Sequence, residues 1–512
     1  MLKSQEPFNL VVGLASVSDN RGVGLKGWLA GPSDKSVQRK NEPVVKPLTA
    51  PADRHRIAVL PLVNISPSPT DEYFGDGLTE EFISSVSKIP GLKTISRTSV
   101  MRYKGTSKSV EEIARELNVG TVLEGSVRKA GNRLRISIQL IDVQKDEPLY
   151  SESYDREIED VLAIQSDIAN CVAKALQVTL LPREKRRIEK RATANIEAYT
   201  LYLRALHTRG AKTEEGFRKA IGFFHEALQK DPGFADSYEG LADCYERMGE
   251  AGMLSPKESF PVAREYAEKA LNLDDSLAEA HATLAAVLEE YYFDQAGAER
   301  EFKRALSLNP NFGRVCQSYG AHLACVGRLD EAVKEIGRAQ ELNPLALEVN
   351  ECAAVIFNCV NQTDRSLEFC ERMLETDQNY FPAYEKIAEA YIEKSMLDDA
   401  IEALHKSIAI SNGAATVKGR LGFAYGCAGR NDEARKILRG LEEDSKKSYV
   451  SPIAIALVHC GLGEKDQAIK WLEKACEEHA GGVTTIKVRP MWASLRSEPR
   501  FIKLLDKMGL NV

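Results

Sequence analysis

The sequence predicts an α/β domain followed by an all-α superhelix of stacked helical hairpins, and three observations carry that reading. Alanine recurs with a 34-residue beat through the C-terminal half, and strand-like and helix-like stretches alternate between Arg56 and Val178. A turn at Gly131 and Asn132 leads into a run of alternating apolar and polar residues, as in a β-hairpin. The chain has 512 residues, 43% of them apolar, which is ample for more than one domain of ordinary globular composition.

Residues 1–55 read as a flexible lead-in rich in Gly, Pro, Ser and charge. Gly22, Gly24 and Gly27 have the GxGxxG spacing of a dinucleotide loop, but Gly31, Pro32 and Ser33 interrupt the helix that such a loop must open, so no cofactor is expected. Residues 8–17 are too short an apolar run to span a bilayer, which takes roughly 18 to 20, and they lack a convincing cleavage site for a signal peptide. The net charge of −7 gives no sign of a general nucleic-acid binder. All ten cysteines lie at or beyond Cys171 without a CxxC pair, which predicts reduced core cysteines and a cytoplasmic compartment.

Residues 56–180 form the expected α/β domain. A buried strand over 57–63 precedes a helix opened by Asp76, Glu80 and Glu81 and continued by Phe82, Ile83, Val86 and Ile89. A second strand over 92–96, a helix over 110–117 and a strand over 119–127 follow. In the hairpin, Leu134, Ile136, Ile138 and Leu140 alternate with Arg133, Arg135, Ser137 and Gln139. A strand near 149–153 and a helix over about 160–178 complete the unit. The carboxylates Asp71, Glu72, Asp76, Glu80 and Glu81 could hold a metal or share a proton. Acids at a helix start are also favoured by the macrodipole and by capping, and capping by Asp76 is the expectation here.

Three segments of this unit, Ile57-Ala58-Val59-Leu60-Pro61, Tyr73-Phe74-Gly75-Asp76-Gly77-Leu78-Thr79-Glu80-Glu81 and Val122-Leu123-Glu124-Gly125-Ser126-Val127, resemble the domain related to TolB and the flagellar protein FlgO. Arg97-Thr98-Ser99, Gln139-Leu140-Ile141-Asp142 and Tyr154-Asp155-Arg156 extend the resemblance. It implies a bacterial protein of a type often fused to a nucleotide cyclase, Ser/Thr kinase or winged-helix domain. The 55 residues in front are too few for a cyclase or kinase, so a non-enzymatic chain is expected. The resemblance also leaves open the regulatory portion of a longer signalling protein, and an envelope-associated assembly factor in the periplasm or at the membrane.

Residues 181–195 form a basic linker, with Arg183, Lys185, Arg186, Arg187, Lys190 and Arg191 interleaved with Glu184 and Glu189; a solvated helix or linker explains them without nucleic acid. The repeats occupy 196–478. Ala220, Ala263, Ala298, Ala332, Ser366, Ala400, Ala434 and Ala468 are spaced 43, 35, 34, 34, 34, 34 and 34 apart. Apolar or small residues four and seven positions later make one close-contact helix stripe in eight successive units. The 43 spacing places nine extra residues between the helices of the second unit, within 249–261. Ser366 and Ser407 stand where alanines are usual, so the fifth and sixth units are expected to pack more loosely. In residues 479–512, Phe501, Leu504, Leu505 and Met508 share a helix face and, with Trp492, are expected to cap the last repeat.

The period, together with Tyr238, Leu241, Ala242 and Tyr245, Tyr319, Gly320 and Leu323, and Tyr384, Ile387, Ala388 and Tyr391, resembles the tetratricopeptide repeat. That resemblance implies a concave groove lined by set positions of each first helix. In the second repeat these are Asp236, Glu239, Asp243 and Glu246; Glu279 and Glu289, Glu348 and Glu351, and Glu385 and Glu389 follow in the third, fifth and sixth. Arg314 and Gln317 interrupt the acids in the fourth. Family members that clamp acidic chaperone tails do so with Lys, Arg and Asn, whereas the fifth positions here read Ala205, Glu239, Ala282, Gln317, Glu351, Glu385, Gly419 and Ile453. The groove is therefore expected to receive a basic or mixed-charge peptide or protein segment, steered by negative potential. The oligomeric state is left open. No residue constellation meets the needs of catalysis or metal binding: HExxH, GxxxxGK[ST] and GxSxG are all absent.

Overall fold

Pro61 divides the first strand of the sheet. The computed structural model describes residues 53–68, 71–190 and 192–511, so the spacing of Gly22, Gly24 and Gly27, most of the lead-in, and Arg191 lie outside the described residues. β1 (Arg56–Val59) and β2 (Val63–Asn64) run along the same neighbour, β4 (Thr121–Ala130). Val59 faces Leu123 and Val63 faces Ser126, so four residues advance against three and the strand bulges where proline has no N–H to offer. The Leu62 N–H leaves the ladder and donates to Thr79 Oγ1 at 3.0 Å.

The sheet order is β3-β1-β4-β5-β6, with β3 spanning Lys93–Thr94, β5 Arg133–Asp142 and β6 Glu147–Glu157. β1 is parallel to both β3 and β4, while β4, β5 and β6 form an antiparallel meander. Leu134, Ile136, Ile138 and Leu140 are buried, as their alternation requires. The expected strand over 92–96 shrinks to two paired residues, and the one near 149–153 lengthens because β5 offers it a full partner edge. Helices α1 (Glu72–Ser87) and α3 (Val161–Ala175) pack together; α2 (Val110–Leu117) starts with a reciprocal Ser109–Glu112 capping box.

Eight helical hairpins follow among the described residues, after α4 (Pro182–Glu189): α5/α6 (Ile196–Arg209, Glu214–Lys230), α7/α8 (Ala235–Glu250, Pro256–Leu273), α9/α10 (Ala278–Glu290, Gln295–Leu308) and α11/α12 (Gly313–Cys325, Leu329–Leu342). The rest are α13/α14 (Leu347–Cys359, Thr363–Thr376), α15/α16 (Phe381–Glu393, Leu397–Ile410), α17/α18 (Ala415–Cys427, Asn431–Asp444) and α19/α20 (Pro452–Gly461, Lys465–Glu477). Every alanine of the 34-residue beat is fully buried. Bare backbone is needed in places too: a Cβ on Gly240 would sit 2.3 Å from the Phe224 ring.

The expected looseness at Ser366 and Ser407 is not found. Both are buried, and each hydroxyl donates to a backbone carbonyl of the facing helix: Ser366 to Ala354 at 2.8 Å and Ser407 to Phe381 at 3.1 Å. A hydroxymethyl group is small enough for the contact, and its polar atom finds an acceptor. The nine extra residues of the second hairpin do not form a long loop. Compared with the fourth hairpin, α7 is three residues longer than α11 (16 against 13) and α8 four longer than α12 (18 against 14). The remaining two lengthen the connection, 251–255 against 326–328.

Residues 479–510 close the last hairpin. Phe501, Leu504, Leu505, Met508 and Trp492 are buried against Ala468, Ile469 and Leu472. The same segment reaches back to the middle of the repeats. Gln295 Nε2 donates to the Met508 carbonyl at 3.1 Å, and Lys487 Nζ donates to the carbonyls of Val326 and Leu510 at 2.8 and 2.5 Å.

Candidate functional site

The site begins at the contact between the α/β module and the first hairpins. Residues 51–512 form one compact unit, and a continuous apolar core runs from the sheet through Tyr199, Leu203 and Phe224 to Phe234 and Leu241. α1 lies against α5, and Gly77 allows the approach, because a Cβ there would stand 2.9 Å from the Leu203 side chain. Arg56 Nη2 donates to the Glu341 carbonyl at 2.9 Å, the Ser96 N–H to the Leu342 carbonyl at 3.0 Å, and Asn309 Nδ2 to Ser87 Oγ at 2.9 Å. The basic segment is a helix pinned at both sides. Arg187 donates to the Lys88 carbonyl at 3.1 Å, and Lys190 pairs with Asp274 at 2.5 Å.

The carboxylates of α1 are the polar half of this contact. Asp76 is a correction to the expected cap: the helix begins at Glu72, so Asp76 lies inside its second turn, buried, between Lys104 at 2.6 Å and His207 Nδ1 at 2.8 Å. Burial alone would raise its pKa, but His207 and Lys104 hold it below the ordinary value. Glu80 accepts from Arg209 at 2.8 Å and pairs with Arg97 at 3.2 Å. Tyr202 donates to Glu81 at 3.2 Å, and burial, with Asp236 nearby, pushes the Glu81 carboxyl up to about 8.

The eleven groove residues expected to form one acidic surface fall into three groups. Asp236 is half-buried and Glu239 and Asp243 are buried, so they do not present an open charged face; this corrects the continuous groove. Asp243, 2% exposed, accepts from Arg209 at 3.0 Å, from Arg247 at 2.9 Å and from Arg314. Burial works against its charge, yet Arg247, Arg314 and Arg209 together hold it far below the carboxylate range. Glu239 is pushed up to about 8 by burial and by Asp243, and Asp236 up to about 6 by burial. Glu279 is half-buried and adds to the negative field at Asp236.

Glu351, Glu385 and Glu389 form the second group, a salt network closed on itself. Lys386, 4% exposed, lies 3.4 Å from Glu351 and 3.9 Å from both Glu385 and Glu389. Arg420 donates to Glu385 and Glu389 at 3.0 Å, Arg489 donates to Glu389, and Tyr380 donates to Glu351 at 2.8 Å. Lys386, Arg420 and Arg489 were missed because they stand off the expected positions, in one case a hundred residues from the acid they meet.

Glu246, Glu289, Arg314, Gln317 and Glu348 make the third group, and these line a cavity of about 1100 Å³. Its walls come from the inner faces of the second to fifth hairpins, Thr98 of the α/β module and residues 478–485 beyond the last hairpin. Residues of the lengthened second hairpin, Glu250, Met253, Leu254 and Phe260 among them, supply one side. Arg314 spans two hairpins to donate to Glu246 at 2.8 Å, while burial pushes Glu246 up to about 7. Gln317 donates to the Glu348 carbonyl at 3.3 Å, and the Glu348 side chain pairs with Lys212 at 2.7 Å. Cys325 is in the wall, and burial holds its thiol well above the ordinary value, so the reactive thiolate is scarce near neutral pH. Among the described residues no group of three His, Cys, Asp or Glu is placed to hold a metal, and no helix is long and apolar enough to cross a membrane.

Residues 53–171 match the family model of the HilA/YgeH-like transcriptional regulator, second domain. The chain is 35% identical over 263 residues to "Putative adenylate cyclase 3" of Rhizobium meliloti (strain 1021), covering 51% of this chain and 44% of that protein. It is 24% identical over 311 residues to "Transcriptional regulator HilA" of Salmonella typhimurium (strain LT2), covering 60% and 54%. The chain thus spans about half the length of these curated relatives. A solved tetratricopeptide repeat protein from Parabacteroides merdae is 14% identical, with a TM-score of 0.39, over 52% of this chain and 99% of that one.

Proposed function

We propose that the chain is a non-enzymatic interaction scaffold or regulatory adaptor in bacterial signalling, acting in the cytoplasm, with the α/β module serving as a built-in brace for the repeats. The observation that carries this reading is the division of the inner face. Arginines of the first, second and fourth hairpins and the salt network neutralise the two ends of the acidic stripe, and a charged, concave surface remains between them for a partner segment of basic or mixed charge. The resemblance of residues 55–180 to TolB and FlgO fits the same role, as a module without chemistry of its own. Crosslinking and affinity capture from the native cell, comparing wild type with Glu348→Lys, tests it. A partner recovered with wild type should be lost from the variant and weakened by salt; equal recovery from both would end the groove reading.

A second reading is favoured by the relatives: the chain corresponds to the regulatory portion of a cyclase-type or HilA-type signalling protein. Cyclase assay of the purified chain with ATP and a divalent metal tests the non-enzymatic part of the proposal, which adenylate cyclase activity would overturn.

A further inference from the structure

The cavity carries more negative charge than its own cations can answer. Arg247 is engaged by Asp243, Arg314 by Asp243 and Glu246, and Lys212 by Glu348; Lys257, the fourth cation of the wall, is exposed, and the four face seven glutamates, Glu246, Glu250, Glu258, Glu289, Glu290, Glu348 and Glu478. Glu250, Glu289 and Glu290, all in the wall, have no Lys or Arg partner and accept no hydrogen bond among the described residues. Glu289 is only 7% exposed, and among the described residues its one counter-charge within ion-pair distance is His322, with Nδ1 at 3.5 Å and no hydrogen bond formed. Such an arrangement is costly at Glu289, since a buried carboxylate without a hydrogen-bond donor has lost its hydration and gained little in return. Burial, with Glu250, Glu246 and Glu289 nearby, drives the Glu290 carboxyl well above its ordinary range, as mutual repulsion demands.

A second, independent feature points the same way. Asn343, 5% exposed, lines the cavity with its Oδ1 buried and without a donor. Buried carbonyl oxygens are nearly always satisfied, so an acceptor without a donor at this wall calls for a partner. Phe260, Phe302, Ala286, Met253 and Val349 make much of the remaining wall apolar. Unpaired acids and a free acceptor beside apolar surface match a cation that carries hydrogen-bond donors on a carbon body. A bare metal ion is the poorer fit, because the carboxylates do not converge as a ligand set. The volume, about 1100 Å³, is that of a small-molecule site.

We propose that this cavity binds a diffusible small organic cation, an amine or guanidine on an aliphatic or aromatic body, held by Glu289, Glu290 and Glu250 with Asn343 as neutral acceptor. The site is the same cavity offered to a partner segment above, here read for a small cation, and the probes below separate the two readings. Its wall joins the second hairpin, the α/β module and residues 478–485, and occupancy would draw these distant parts of the chain together.

Isothermal titration of the purified full chain with agmatine and with spermidine tests the proposal. At least one probe should bind wild type with a dissociation constant below about 100 µM, and Glu289→Gln combined with Glu290→Gln should weaken it by about tenfold or more. Glu250→Lys, at an exposed position on the rim, should weaken it to a similar degree while leaving the circular dichroism and melting temperature unchanged. Glu226→Gln, on an exposed outer face, makes the same change in charge as either glutamine substitution and should have no effect. Absence of binding by both probes up to about 1 mM, or equal weakening by Glu226→Gln, overturns the proposal. Binding of a basic tetrapeptide where neither small cation binds would overturn it as well, and would return the site to the partner-segment reading.

Discussion

Arg209, in the last turn of the first hairpin helix, donates to Glu80 of the α/β module at 2.8 Å while its other terminal nitrogen donates to Asp243 of the second hairpin at 3.0 Å. One guanidinium therefore joins three parts of the chain that are far apart in sequence. Its planar fork suits that task, since two carboxylates can be met at once without strain.

Replacing Arg209 by Met leaves Glu80 and Asp243 partly uncompensated. Asp243 is almost fully buried, whereas Glu80 keeps about a fifth of its exposure, so the cost should fall near 3 kcal/mol, the low end for breaking a buried pair. Urea denaturation of R209M, E80Q and the double variant checks this. The double variant should lose less than the two single losses added together; simple additivity would mean that the contact contributes nothing specific.

Stability should fall as pH rises from about 5.5 to 8.5. Glu81 and Glu239 are pushed up to about 8 and Asp236 to about 6, all first of all by burial, so the folded chain keeps protons that the unfolded chain has released above about 4.5. Asp236 and Glu80 oppose the charge on Glu81, while Lys88 favours it. Asp76, Asp243 and Glu389 are held low and act in the opposite sense: their contribution is present above about 4 and disappears below it. Melting temperature measured across this range should decline toward alkaline pH, with a shallower slope in E239Q. A flat or rising profile would contradict the assignment.

Ser366→Ala should cost about 1 kcal/mol, the net value of one buried hydrogen bond, through loss of the donation to Ala354. Ser366→Leu should cost several times more, because the site is sealed against the facing helix. If alanine were instead stabilising, the hydroxyl would be a tolerated defect; equilibrium denaturation distinguishes the two.

Phe501→Ala should cost about 3 to 5 kcal/mol, as expected for emptying a closed aromatic site. Hydrogen exchange should quicken in the eighth hairpin and also around Gln295 and Val326, which bond to the closing segment. Acceleration confined to the eighth hairpin would show that the return contact to the middle of the repeats is not coupled to the cap.

The helical repeats and the mixed sheet were legible because local periodicities report burial. Ala298 and Ala332 recur because a helix contact excludes anything larger, and Leu134, Ile136, Ile138 and Leu140 alternate because a strand has two faces. The same logic located the acids of the inner face, but it assigned them to a single open surface. Glu239 and Asp243 are equally acidic in the sequence whether they face solvent or Arg209, and only the stacking of the hairpins decides which.

Amino-acid order by itself determined the period of the repeats, the hairpin of the sheet, the apolar face of the terminal helix and the line of carboxylates along the first helices. The tertiary structure alone decided which carboxylates are paired. Arg314 reaches back two hairpins, Arg489 meets an acid a hundred residues earlier, and residues 478–485 close a cavity begun by the second hairpin. The reason is physical: burial patterns repeat within a few residues and are written into every turn of helix, whereas charge pairing and cavity closure depend on curvature accumulated over eight hairpins.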